Sequence, residues 1–207
     1  SENTVVRARA WDGLWTTVHT DPSENPFTLN IPWSGLTEAV FLITPPTLAV
    51  TEIMYHPQIP MGAETSYTAS DFEFIELKNV GTETTSLLGV EFIGGITFDF
   101  TYGSVTNLAA GDYVVAVRNL AAFKIRYPNW AGINIAGEYL GGLDDGGEQI
   151  TLRNSLNQTN SFSYNNAWFS GTDGEGFSLT VIAPESGDLD RKSEWRHSAY
   201  RNGSPGE

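Results

Sequence analysis

Carboxylates and an imidazole recur at short spacing in two stretches of the chain. "TEIMYHP" carries Glu52 and His56, and "DFEFIELKNVG" carries Glu73 and Glu76. Two carboxylates held close together can divide the roles of acid and base. Two carboxylates with an imidazole can also hold a metal ion that activates water. What the residues can do depends on which face of which element presents them.

Side chains alternate across a strand. In "DFEFIELKN", Glu73, Ile75 and Leu77 share one face, and Phe72, Phe74, Glu76 and Lys78 share the other. Glu73 and Glu76 are therefore not a close pair in a regular strand. In "TEIMYHP", the same alternation groups Glu52, Met54 and His56 against Thr51, Ile53 and Tyr55. Glu52 and Glu76 can meet across adjacent strands, with His56 near the end, which is the geometry a metal-dependent hydrolase requires. Against it stands the ordinary behaviour of strand-borne glutamate, which is solvated or singly paired. On that ground the acids are expected to decorate the faces of a strand.

Two further groups of residues suggest ligands. Asp144, Asp145 and Glu148 fall in the Gly-rich "YLGGLDDGGEQ" and form the best local candidate for calcium, which prefers several oxygens on a flexible loop. The spacing is not that of a dedicated calcium loop, and Asp-Gly ahead of a β-run is a common turn. Asp173 and Glu175, with Glu185, Asp188 and Asp190, make a second cation site only if their loops converge. Among six tryptophans, Trp130 and Trp168 lie in polar loop contexts and are the expected exposed faces for a carbohydrate. Trp11, Trp15 and Trp33 are further candidates, and Trp195 is expected to be packed.

Nucleophilic catalysis has little to build on. "GFSLT" lacks the second glycine of a nucleophile elbow, and His197 and Ser198 are adjacent and point apart on a strand. There is no Gly-rich phosphate loop with a lysine. With no cysteine among 207 residues, disulfides, thiol nucleophiles and thiolate metal sites are excluded. A net charge of −14 repels phosphate backbones, so no nucleic-acid partner is expected.

The elements that must position these residues are short strands. "TVVRARAW", "EAVFLIT", "LAVTEIMY", "FEFIELKN", "GITFDFTYG", "DYVVAVRN", "EQITLRN", "TNSFSYN" and "FSLTVIAP" alternate and are separated by Gly, Asn, Asp and Pro, the pattern of a β-sandwich or barrel. The spacing predicts one helix over 119–128, capped by Asn119 and ended by Pro128. A composition that is 40% hydrophobic supports a sizeable core. No apolar run approaches the roughly 18 residues of a membrane span. The proline pair of "TPP" marks an expected boundary between residues 1–46 and 47–207. The start, "SENTVV", reads as that of a segment cut from a longer protein or a mature product.

"LAVTEIMYHP", "DFEFIELKNVG", "LAAGDYVVAVRNLAAFKIRYP", "LDDGGEQITLRN", "GEGFSLTVIAP" and "EWRHSAYRNGSPGE" occur in that order. Together they resemble the bacterial branch of the lamin tail domain family over about residues 47–207. The resemblance implies an immunoglobulin-like β-sandwich without enzyme activity, found in large secreted or surface proteins. "VVRARAWDGLW" and "SGLTEAVFLI" resemble the last strands of a fibronectin type III-like module, which would make residues 1–46 the end of such a module or a linker. The expectation is an all-β, immunoglobulin-like sandwich with one short helix, extracellular or at the cell surface. It would bind protein or glycan partners or position neighbouring domains, and an exposed first strand would allow homodimers. A carbohydrate-binding accessory module is the competing reading.

Overall fold

A computed structural model describes residues 47–185 and 188–207, together with two strands nearer the start of the chain. Contacts divide the chain into two units, Ser1–Pro45 and Pro46–Glu207. In the first unit, β1 (Thr4–Ala8) runs antiparallel to β2 (Thr37–Phe41), with Thr4 opposite Phe41. Trp11, Trp15, His19 and Trp33 lie outside the described residues.

The second unit is mostly β. In chain order its strands are β3 (Leu48–Met54), β4 (Phe74–Asn79), β5 (Thr85–Ser86), β6 (Glu91–Gly94), β7 (Ile96–Asp99), β8 (Asn107–Leu108) and β9 (Tyr113–Val117). The single α-helix among the described residues, α1 (Leu120–Arg126), follows. After it come β10 (Ile135–Glu138), β11 (Leu140–Gly141), β12 (Gln149–Arg153), β13 (Thr159–Ser163), β14 (Leu179–Val181) and β15 (Trp195–His197). One sheet has the order β10-β9-β4-β3-β14-β15, and the other β11-β7-β6-β12-β13. β5 and β8 form a separate ribbon. Among the described residues, no helix is long and apolar enough to cross a membrane.

The two larger sheets share one core. Ile53, Ile75, Leu77, Val114 and Leu179 from the first meet Phe92, Phe98, Ile150 and Phe162 from the second. Trp195 is buried in the same core, where its indole N–H donates to Leu189 O at 2.8 Å. The six-stranded sheet is covered on its other face as well. Met54, Phe74, Val115 and Val117 pack there against Phe123 of α1. That second cover explains why β4 is buried along its length except at half-buried Lys78.

α1 sits there for local reasons. The Asn119 side chain accepts from the Ala121 and Ala122 amides, both at 3.1 Å, and satisfies two of the orphan donors at a helix start. Phe123 supplies the apolar contact, and Pro128 stands just beyond the last turn. The chain then returns as β10, parallel to β9, so α1 is the crossover that parallel strands need.

Candidate functional site: a carboxylate pair under the C-terminal segment

A bulge sets the site. Val50 pairs with Leu77 and Glu52 pairs with Glu76, so Thr51 is one residue too many in β3. Strict alternation puts Thr51 on the face opposite Glu52. The bulge changes this: Val50 joins Ile53 and Tyr55 in the shared core, while the Thr51 hydroxyl donates to Glu76 Oε1 at 2.6 Å.

Glu52 and Glu76 are each only 1% exposed. This corrects the expectation that the acids decorate a strand. The enclosing surface is the chain's own segment 202–206. Ser204 donates its amide to Glu52 Oε1 at 2.9 Å and its hydroxyl to Oε2 at 3.0 Å. The Gly206 amide donates to Glu76 Oε2 at 2.6 Å, and the Ser178 hydroxyl donates to Glu52 Oε1. Burial pushes both carboxyls up, Glu76 to about 8 with the neighbouring Glu52 charge adding to the shift. The five donors oppose that rise without cancelling it.

Glycine is required where the segment crosses the pair. Gly203 has φ +77, and a Cβ there would collide with Glu52 Oε1 and stand 3.2 Å from Phe74 Cζ. Asn202 is left-handed too, at φ 68. It is held by its own amide on Gly176 O at 2.6 Å, by the Tyr127 hydroxyl on its carbonyl at 2.5 Å, and by Gln58 on its side chain at 3.2 Å. The segment is thus seated from β3, β4, α1 and the loop before β14.

His56 does not join the pair. Its Nδ1 lies 2.8 Å from Asp173 Oδ1 and its Nε2 lies 3.7 Å from Asp145 Oδ2, at the surface. The alternative grouping of Glu52, His56 and Glu76, against which strand-borne glutamate argued, is not formed. Among the described residues, no three His, Asp or Glu side chains are placed to hold a metal ion. In the 144–148 turn, Asp144 Oδ1 accepts from the Gly146 amide at 2.7 Å and Glu148 Oε1 accepts from the Asp144 amide at 2.9 Å. Those oxygens satisfy the turn itself. The acidic loops beyond do not converge, since Asp190 accepts from the Ser163 amide at 2.6 Å and Asp188 pairs with Arg191 at 2.9 Å.

Glu73 is a third buried acid, on the sandwich side as alternation requires. It accepts from the Leu143 amide at 2.9 Å and the Tyr139 hydroxyl at 3.0 Å, with Arg118 at 3.4 Å. Burial raises its carboxyl, and these donors with the Arg118 charge pull it back.

The two tryptophans part company. Trp168 is half-buried, with its ring 6.2 Å from that of Trp195 against the shared core, so it is not the exposed platform expected. Trp130 is 37% exposed, and the Lys124 ammonium lies over its ring at 4.0 Å.

An open cleft of about 360 Å³ runs between the end of α1 and the C-terminal segment. Pro128 and Asn129 line one side, and Tyr200, Arg201 and Asn202 the other. Under the neighbouring surface, Arg126 forms a bidentate pair with Glu64 at 3.0 and 2.7 Å and lies 3.5 Å over the Phe72 ring. The acid pair and the cleft are two sides of one feature, because the segment that covers the first forms a wall of the second. Sequence reasoning missed the role of "RNGSPGE". Its signal was an Asn-Gly turn followed by small, donor-rich residues.

No family model, no curated protein and no solved structure matches the chain.

Proposed function

We propose that residues 47–207 form a non-catalytic interaction module, an immunoglobulin-like sandwich of the lamin tail type, in a secreted or cell-surface bacterial protein. It binds partners or positions neighbouring domains. The observation that carries this reading is the enclosure of Glu52 and Glu76. Among the described residues, the close carboxylate pair Glu52 and Glu76, suited to acid–base work, has its oxygens engaged by Thr51, Ser178, Ser204 and Gly206. A general acid or base must reach a substrate proton directly or through one water, and here the chain's own segment stands in the way. The order of motifs from "LAVTEIMYHP" to "NGSPGE" supports the lamin tail assignment. Two sheets over a common core are the layers that such a sandwich requires.

The test is hydrolysis of a panel of chromogenic glycosides, esters and phosphodiesters by the purified chain and by Glu76→Gln. The expected result is no turnover above buffer for either protein. Turnover that scales with wild-type concentration and vanishes in Glu76→Gln would overturn the reading.

A further inference from the structure

The cleft beside the C-terminal segment keeps some of its polar groups free of the fold, although Arg201 donates to Gln58 Oε1 at 3.4 Å and Asn202 Oδ1 accepts from Gln58 Nε2 at 3.2 Å. In the 144–148 turn the carboxylate oxygens serve their own backbone. In the cleft, the Asn129 side chain makes no cap hydrogen bond to the turn it precedes, Gln58 engages Asn202 through Oδ1 rather than Nδ2, and Ser198 engages Tyr200 through its backbone carbonyl rather than its hydroxyl. The Tyr200 side chain is also conspicuous for its exposure, at 71%, since an aromatic ring left in water forgoes its burial energy.

Costly features hold this wall in place. Asn202 sits in the left-handed region, which asparagine tolerates better than most non-glycine residues but still at some cost. Two carboxylates are buried to seat the turn that follows it. Burying acids is unfavourable unless they are paired or hydrogen-bonded, and here five donors offset part of that cost. What the acids fix is the placement of Tyr200, Arg201 and Asn202 opposite Asn129.

We propose that this cleft is a binding site for a neutral saccharide, with the Tyr200 ring as the stacking platform and Asn129, Arg201 and Asn202 as hydrogen-bonding groups. A sugar ring presents an apolar C–H face for an aromatic plane and hydroxyls at its edge for planar amides and guanidinium. The cleft volume lies at the low end of ligand pockets and suits a short stretch of glycan. Neutrality follows from charge, since a molecule carrying −14 repels polyuronates. The inference rests on the reading of the domain as a non-catalytic interaction module and names the class of partner. It moves the aromatic platform from Trp130 and Trp168 to Tyr200.

The test is affinity electrophoresis of the whole chain in native gels containing xyloglucan, arabinoxylan, mixed-linkage β-glucan or galactomannan. Tyr200→Ala and Asn129→Ala are run beside Tyr102→Ala, which removes an even more exposed ring outside the cleft. The expected result is retardation in at least one polysaccharide, weakened about tenfold or more by Tyr200→Ala and clearly by Asn129→Ala, and unchanged by Tyr102→Ala. An unchanged melting temperature for Tyr200→Ala separates lost binding from lost fold. Migration unaffected by all four polysaccharides overturns the proposal, as does retardation that Tyr200→Ala retains or Tyr102→Ala loses. None of these results bears on hydrolysis, so the site can fail while the non-catalytic reading stands.

Discussion

Glu52 and Glu76 face each other as direct partners across β3 and β4, and between them they hold Ser204 and Gly206 by three hydrogen bonds of 2.6–3.0 Å. The pair works as a seat for the chain's own segment. Its properties follow from being acidic, close together and dry.

Stability should fall as pH rises. The Glu76 carboxyl is pushed from 4.5 up to about 8, first by burial and then by the Glu52 charge. A group whose pKa is raised on folding stabilises fully below its unfolded value and loses that contribution as pH passes through its folded value. For Glu76 that window runs from 4.5 to about 8, and Glu52 shifts in the same direction. Glu64, held down by Arg126, acts in the opposite sense and loses its contribution at acid pH. Unfolding free energies from urea denaturation should therefore peak in mildly acid solution and drop by a few kcal/mol toward pH 8. Glu76→Gln should flatten that slope and match or exceed wild type at pH 8.

Gly203→Ala should unseat the segment. The new methyl meets Glu52 Oε1 at a position whose φ of +77 already disfavours it. The expected loss is about 2 kcal/mol. Trypsin should then cut after Arg201 at least about tenfold faster, because cleavage follows the population of the open segment. Equal cleavage rates for the two proteins would show that the segment is not held in this way.

Breaking the Arg126–Glu64 pair should cost more than deleting it. The Arg126 side chain is 1% exposed, and its Nη1 already has no partner among the described residues. Glu64→Gln leaves that charge uncompensated, at a cost of about 2–3 kcal/mol in urea denaturation. Adding Arg126→Met should recover part of the loss, since the thioether fills the space over Phe72 without a charge. A double variant less stable than Glu64→Gln alone would mean that the guanidinium stacking on Phe72 outweighs its burial.

Much of the fold was legible in the residues themselves. Alternation in "LAVTEIMY", "FEFIELKN" and "DYVVAVRN" became β3, β4 and β9, and Asn119 with Pro128 bounded α1. The site was legible only in part. Glu52 and Glu76 do meet across strands, but period-two reasoning has no means of placing an extra residue. The bulge at Thr51, which turns that residue toward Glu76, stayed hidden for that reason. Their burial was hidden too, because it comes from α1 and from residues about 130 to 150 positions away in sequence. The parallel pairing of β10 with β9 depends on that same crossover, which no local pattern announces. His56 was misplaced because alternation fixes a side but not what lies beyond the strand end, where Asp173 and Asp145 take the imidazole.

The most direct test of the account is to follow the glutamate side-chain carboxyl carbons and the Ser204 and Gly206 amides by NMR from pH 3 to 9. The account predicts that Glu76 titrates far above 4.5, near 8, that Glu52 is also raised, and that both amides shift with the same midpoint as the pair. Two carboxyls titrating near 4.5 with amides that do not respond would contradict it. That outcome would mean the pair is open to water, and Glu52 and Glu76 would return as candidates for chemistry.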